Sequence, residues 1–389
     1  MLAVHSEVSH NTPINTLSGV THVRADIDRL RAMTAIDYQR PFLLLEERAL
    51  RAKARRFISA MPRVQPHFAV KCNPVARILS IFHQEGVRFE VASKKEIDQL
   101  IDIGVNPREA FYSNPIKAPD HLQFAIDKGI EWYVVDSIDE LLKVHTAKPD
   151  AKFYLRLHTS NEGSTWELSS KFGATAPDIS DIINTAVALK ADLAGVTFHA
   201  GSQCLNVQNW VIGIRAARNA FDEMLSVGLK PRLLNLGGGY PIELNESVPS
   251  IEEIGAAISH ELQAFDEDVS IIAEPGRFLV ADTGNYVCRV VGTATRDGQR
   301  WLYLDSGMYG GLMELDEMPY KLHTDRHGKL IDWRLAGPTC DSIDTFKSSF
   351  ALPEDLQADD FIYIESGGAY INSTACSFNG FDIPEVRVI

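Results

Sequence analysis

Lys71 in HFAVKCNP, His199 in TFHAGSQ, the triplet Gly237, Gly238 and Gly239 in NLGGGYP, and Glu274 three residues before Arg277 in AEPGRF each follow a short apolar run. A lysine hemmed in by apolar walls is partly desolvated, which favours its neutral, nucleophilic amine. Three glycines expose backbone N–H groups that can cradle a phosphate. They are not a dinucleotide fingerprint, because GxGxxG and its later acid are missing. Singly, each has a bland reading: a solvated lysine, a hydrogen-bonded core histidine, a turn, an ion pair. Together, an amine able to bond an aldehyde, a phosphate cradle, and an acid able to keep a ring nitrogen protonated specify pyridoxal 5'-phosphate. His199 would then stack on the ring.

A second constellation lies far along the chain. GPTCDSID, residues 337 to 344, sets a soft proton carrier, Cys340, beside a fixed negative charge, Asp341, with Asp344 three residues on. A thiol has a pKa near working pH and suits proton donation. A fixed negative charge of this kind is what a partly buried cation needs.

The elements that must position these residues follow one rhythm. Eight apolar runs, HFAV, VRFEVA, AFYSN, WYVVD, KFYLRL, GVTFHA, RLLNL and VSIIAE, alternate with stretches of helical periodicity such as KKEIDQLIDIG and GIRAARNAFDEML. Eight such units predict a closed (β/α)8 barrel, whose active site lies at the C-terminal ends of its strands. Lys71, Glu90, Asn114, Asp136, Arg156, His199, the glycine triplet, Glu274 and Arg277 all fall there. NEGSTWELSSKFGA reads as an extra loop over that end. After Phe278 the rhythm changes to FLVAD, NYVCRVVGTATR, RWLYLDSG, IDWRLAG and FIYIESGGAYI, which predict a mostly antiparallel β domain. RPFLLL, at 40 to 45, reads as a strand added to that domain. The expected division is 1–45 with the β domain, 46–278 as the barrel and 279–389 as the β domain.

A formal net charge of -14 argues against nucleic acid or an anionic membrane as partner and suits a small cationic substrate. The five cysteines are widely spaced, show no CxxC pair or zinc rhythm, and read as free thiols of a reducing compartment, with no metal expected. MLAVHSEVSHNTP has no signal-peptide pattern, so a soluble cytoplasmic protein is the expectation.

From RPFLLL to the C-terminus the chain resembles the alanine-racemase-like pyridoxal phosphate enzymes, specifically the eukaryotic-type ornithine decarboxylases and their bacterial lysine/ornithine relatives. FAVKCNP, FEVASKKEI, YSNPIK, LSSKFGA, FHAGSQ, NLGGGYP, EPGRFLV, GPTCDSID, GGAY and FNGF occur in the family's order and spacing. The resemblance implies that Lys71 carries the cofactor covalently and that Glu274 pairs with its ring nitrogen. Ser202, Gly237, Gly238, Gly239, Gly276, Arg277 and Tyr370 would hold the phosphate, and His199 would stack on the ring. Arg156 and Lys171 would orient the surroundings of Lys71 and the subunit interface. Glu90 stands where many relatives have aspartate, and the extra methylene alters its contact with the ring. Cys340 would protonate Cα and Asp341 would receive the substrate's distal ammonium. Tyr309 and Phe378, with Asp316 or Glu317 in GGLMELDEMPYKL, are further substrate-contact candidates. Because GPTCDSID lies outside the barrel, two subunits pairing head to tail would each lend it to the other, so a homodimer is implied.

The implied reaction is decarboxylation of L-ornithine to putrescine or of L-lysine to cadaverine, in polyamine biosynthesis. A diaminopimelate-type decarboxylase of the same fold is the alternative, but its relatives usually show cysteine followed by glutamate, whereas aspartate follows Cys340 here. An inactive regulatory homologue would be expected to lose Lys71, Cys340 or the phosphate loop, and all three are present.

Overall fold

The computed structural model describes residues 37–389 and, before them, Leu30, Arg31 and Thr34. Its first strand, β1 (Phe42–Leu45), leads into a helix over Glu47–Ala60. Strands β2 (Gln65–Ala69), β3 (Arg88–Val91), β4 (Phe111–Tyr112), β5 (Trp132–Val135) and β6 (Lys152–Arg156) follow, each separated from the next by a helix. After β7 (Ser164–Trp166) come β8 (Asp192–Thr197), β9 (Ser202–Cys204), β10 (Leu233–Asn235) and β11 (Ser270–Ala273). Strands β2 to β6, β8, β10 and β11 close into one barrel of eight parallel strands, so the expected (β/α)8 barrel is present. The apolar runs close it because they bury both faces. Phe111, Val134, Tyr154, Leu233 and Ile272 fill the interior, while the helices pack outside. Side-chain caps start several of these helices: Ser93 and Ser137 accept from the N–H of Glu96 and Glu140, and Thr175 and Ser250 form capping boxes with Asp178 and Glu253.

The short pair β7 and β9 forms its own two-stranded sheet within the long fifth connection and the segment after β8. It folds the NEGSTWELSSKFGA loop over the barrel mouth, as the sequence predicts.

The rest of the chain builds a second sheet from β12 (Gly284–Arg296), β13 (Gln299–Leu304), β14 (Leu322–His323), β15 (Leu330–Ala336), β16 (Thr345–Pro353), β17 (Phe361–Ile364) and β18 (Glu385–Val388). β1 joins it, antiparallel to β12 and parallel to β18, so RPFLLL does supply a strand to this sheet. The sheet is mixed, because β13 and β15 also pair in parallel. FLVAD is a correction: Arg277–Val280 is helical and Ala281–Thr283 is a 3-10 turn. Phe278, Leu279, Val280 and Ala281 are all buried, and a short, wholly buried run has the same apolar signature in helix and strand. Among the described residues no helix is long and apolar enough to cross a membrane.

Candidate active site

A cavity of about 590 Å³ opens at the C-terminal ends of the barrel strands. Lys71 enters it from a 3-10 turn, Val70–Cys72, directly after β2. Its Nζ donates to Glu90 Oε1 at 3.1 Å, and Glu90, on β3, is 1% exposed. This corrects the expectation of a neutral amine. The Glu90 carboxylate raises the Lys71 pKa above the ordinary lysine value, Tyr370 and Glu274 add to it, and the opposing effect of burial is outweighed. Lys71 without its cofactor is therefore an ammonium that must lose a proton before it can bond an aldehyde.

Glu274 follows β11. Ser113 Oγ and Asn235 Nδ2 each donate to its Oε1 at 2.6 Å, and Ser113 is itself bonded to the Tyr154 hydroxyl at 2.7 Å. Burial, then the Glu90 charge, push this carboxyl up to about 7, while the two donors and Lys71 pull it down. A cationic ring nitrogen brought to it would favour the ionised form. Sequence reasoning missed Ser113 and Asn235. It singled out Asn114 at the end of the third run, yet its neighbour Ser113 makes the contact.

His199 lies two residues past β8, and its Nδ1 accepts the Gly201 N–H at 3.0 Å, which assigns the proton to Nε2. Burial first, then the charges of Arg156 and Lys71, hold it well below the ordinary histidine range, so the ring is neutral and suited to stacking. Arg156, at the end of β6, donates to the Leu168 carbonyl at 3.3 Å, and its guanidinium shares the Phe172 ring with Lys171 Nζ.

The glycine loop has the shape a phosphate cradle needs. Gly237 has φ +62°, and a Cβ there would stand 2.0 Å from the Phe198 carbonyl oxygen; Gly239 has φ +105°, and its Cβ would stand 2.2 Å from that of Gly201. Only glycine fits either position; the Gly237 N–H is held by Asn235 Oδ1 at 2.9 Å, and Gly238 and Gly239 line the cavity with no side chain between backbone and ligand. A Cβ at Gly276 would stand 3.3 Å from the Tyr370 hydroxyl, and Ser202 lines the same wall. The buried Arg277 lies over the Tyr370 ring at 5.0 Å. The donor set therefore fits pyridoxal phosphate: an amine, a carboxyl for a ring nitrogen, a flat neutral imidazole and a nest with an arginine.

Cys340, Asp341, Tyr309 and Phe378 do not line this cavity. They form a separate cluster. Tyr309 donates to Asp341 Oδ2 at 2.7 Å and stacks on Phe378 at 4.3 Å, and the Cys340 thiol donates to Asn379 Oδ1 at 3.1 Å. Cys340 and Phe378 are exposed. The Ile343 N–H, then the Tyr309 hydroxyl, hold the Asp341 carboxyl below its ordinary range. Asp344 is loop structure: it is 1% exposed and accepts from Met308 N and from Thr339 N and Oγ1.

Asp316 and Glu317 are also outside the cavity. Asp316 spends both carboxylate oxygens on the Lys347 and Ser348 N–H groups, and Glu317 is exposed. The acid of that segment that reaches the cavity is Glu314. The segment is a 3-10 helix over Leu312–Asp316, and at three residues per turn Asp316 cannot share the face of Glu314.

A closed parallel barrel with these groups at its mouth defines a barrel-type pyridoxal phosphate enzyme. Residues 47–281 match the family described as "Pyridoxal-dependent decarboxylase, pyridoxal binding domain", and the chain belongs to that family. It is 34% identical over 346 residues to the ornithine decarboxylase of Schizosaccharomyces pombe, covering 84% of this chain and 78% of that one. The structure is similar to that of lysine/ornithine decarboxylase from Vibrio vulnificus complexed with cadaverine, with TM-score 0.85, 32% identity, and coverage of 93% and 98%. It is equally similar to the Paramecium bursaria Chlorella virus arginine decarboxylase bound to agmatine, with TM-score 0.86, 31% identity, and coverage of 93% and 100%. The protein is a pyridoxal-phosphate-dependent decarboxylase of basic amino acids.

Proposed function

We propose that the substrate is L-ornithine, decarboxylated to putrescine, with L-lysine to cadaverine as the companion activity, and that the working form is a homodimer with shared sites. The observation that carries this reading is the split of the chemical groups. Lys71, Glu274 and the glycine loop surround one cavity, while Cys340 and Asp341 stand together in an exposed cluster elsewhere. Two copies arranged head to tail supply each cavity with the missing thiol and carboxylate.

When bound, the cofactor supplies an electron sink for the pair released as carbon dioxide leaves. The chain's own residues do the rest. Glu90 holds the Lys71 amine at the cavity wall, Glu274 would keep a proton on the ring nitrogen, and neutral His199 would cover the ring without adding charge. Across the interface, Cys340 returns a proton to Cα, and Asp341 holds the distal ammonium, ionised by its Ile343 and Tyr309 donors.

Carbon dioxide release from ornithine, lysine, arginine and diaminopimelate tests the reading. Preference for ornithine or lysine is expected, with kcat/KM for the two separated by about 10- to 200-fold, as one methylene allows. Borohydride should trap the cofactor on Lys71, seen as a mass increase on its peptide. Turnover of diaminopimelate alone, or of none of the four, would overturn the assignment.

A further inference from the structure

The Arg277 guanidinium, 4% exposed, donates from Nη1 and Nη2 to the two carboxylate oxygens of Glu314, both at 2.8 Å. Tyr320 donates to Glu314 Oε2 at 2.9 Å. The rings of Trp166 and Tyr370 lie 5.1 and 5.0 Å from the guanidinium carbon. Arg277 Nε is buried and has no hydrogen-bond partner. Both charged residues line the cavity. The arginine comes from the first helical residue after β11, and the glutamate from the 3-10 helix of the second sheet. At the end of the cavity where the glycine loop would meet a dianion, the buried Arg277 guanidinium is thus already paired with an acid.

We propose that Glu314 is a positioning residue of the cofactor's phosphate site: it holds the Arg277 fork by its terminal nitrogens and cancels its charge, so that phosphate binds by competing with a resident carboxylate. This rests on the reading of Arg277 as a phosphate ligand. A guanidinium has five N–H donors, and the bidentate pair uses two, so Nε–H and the outward N–H groups remain to meet a phosphate. The resident anion lowers the net attraction for the incoming one. It also spares the cofactor-free protein a buried unpaired cation, which is costly. Cofactor affinity and cofactor-free stability are therefore set against each other by one side chain.

Glu314→Gln in the full-length protein tests this without reference to turnover. Pyridoxal phosphate is titrated into the cofactor-free protein by absorbance, and Tm is measured with and without saturating cofactor. Loss of one buried charge beside a dianion is expected to lower Kd about tenfold. The cofactor-free Tm should fall and the cofactor-induced rise in Tm should widen. If Tm drops equally in both states while Kd stays the same, Glu314 is only structural and the proposal fails; a raised Kd also overturns it. Arg277→Gln separates the two readings, since unchanged pyridoxal phosphate affinity there would remove Arg277 from the phosphate site altogether. If Glu314→Gln does not fold, the neutral pair Arg277→Gln with Glu314→Gln is compared with Arg277→Gln alone. Tighter binding by the double variant supports the proposal, and equal or weaker binding sinks it.

Discussion

Glu274 receives two donors on one oxygen, and the donors are unequal. Ser113 offers only its hydroxyl, whereas Asn235 bonds Glu274 through Nδ2 and accepts the Gly237 N–H on Oδ1 at 2.9 Å, tying the carboxyl to the phosphate loop. Asn235→Ala should therefore raise the cofactor Kd and lower kcat, while Ser113→Ala should lower kcat with a smaller change in Kd. Each lost hydrogen bond to the ionised carboxylate is worth about 1.5–3 kcal/mol. Equal effects of the two variants on cofactor titration would count against this coupling. His67 makes a second prediction. It is wholly buried on β2 against the edge of Phe111, its Nδ1 meets the Phe89 carbonyl at 3.2 Å, and its Nε2 has no partner. Burial, with help from the Arg88 charge, lowers it to about 3. A depressed folded-state pKa means that the stabilisation is full above the unfolded value near 6.5 and is lost as pH falls toward 3, reaching about 5 kcal/mol there. Glu274 and Glu96, both raised to about 7, act with the opposite sign between pH 7 and 4.5. The difference between wild type and His67→Met in urea unfolding from pH 8 to 5 isolates the histidine, and parallel curves would refute its role. At this scale the sequence announced Lys71, His199, Glu274 and Arg277 because they follow apolar runs. It did not announce Ser113, Asn235 or Glu314, whose partners are 161, 39 and 37 residues away.

The strand-end loops are the elements that convert this chain into a site, and the NLGGGYP loop is fixed at two of its positions. At Gly237 and Gly239 both the positive φ and the neighbouring backbone oxygen forbid a side chain, and neither obstacle is a flexible group that can step aside. Gly237→Ala should fold, since the barrel strands lie outside the loop, but should bind pyridoxal phosphate at least about 100-fold more weakly, because a displaced nest loses several aimed N–H donors. Normal cofactor absorbance at stoichiometric cofactor would refute it. Alternation of strand and helix made all eight barrel strands legible, since each unit buries its own apolar run. The pieces it misjudged lacked that contrast. Phe278 to Ala281 of FLVAD are buried through a helix and the 3-10 turn that follows it, and TFKSSFALP, which forms β16, is interrupted by Lys347, Ser348 and Ser349 on a half-exposed sheet. Glu314 belongs to the same lesson: GGLMELDEMPYKL shows three acids, of which Glu314 and Asp316 lie on different faces of the 3-10 helix and Glu317 falls just past its end.

One chain carries both halves of the proposed chemistry but not in one place, so the whole-molecule prediction concerns how copies combine. Tyr309 stacked on Phe378 places two aromatic rings beside Cys340 and Asp341 at the surface, and Ile343, 68% exposed, lies in the same loop. An exposed cluster of this kind, rimmed by polar groups, is what a symmetric interface covers. If each site draws Lys71 from one subunit and Cys340 from the other, Lys71→Ala and Cys340→Ala homodimers are each impaired at both sites. Mixed one to one and allowed to exchange, half of the dimers become hybrids, each with one intact site and one doubly impaired site. Carbon dioxide release should then recover to about a quarter of the wild-type value. Recovery should be abolished when either partner also carries Tyr309→Ala with Phe378→Ala, whose sedimentation should shift toward monomer. A mixture no more active than its two components, measured under conditions where sedimentation shows exchange, would mean that the thiol and the lysine serve the same subunit. The head-to-tail arrangement would then have to be abandoned, while the barrel site around Lys71 would stand unchanged.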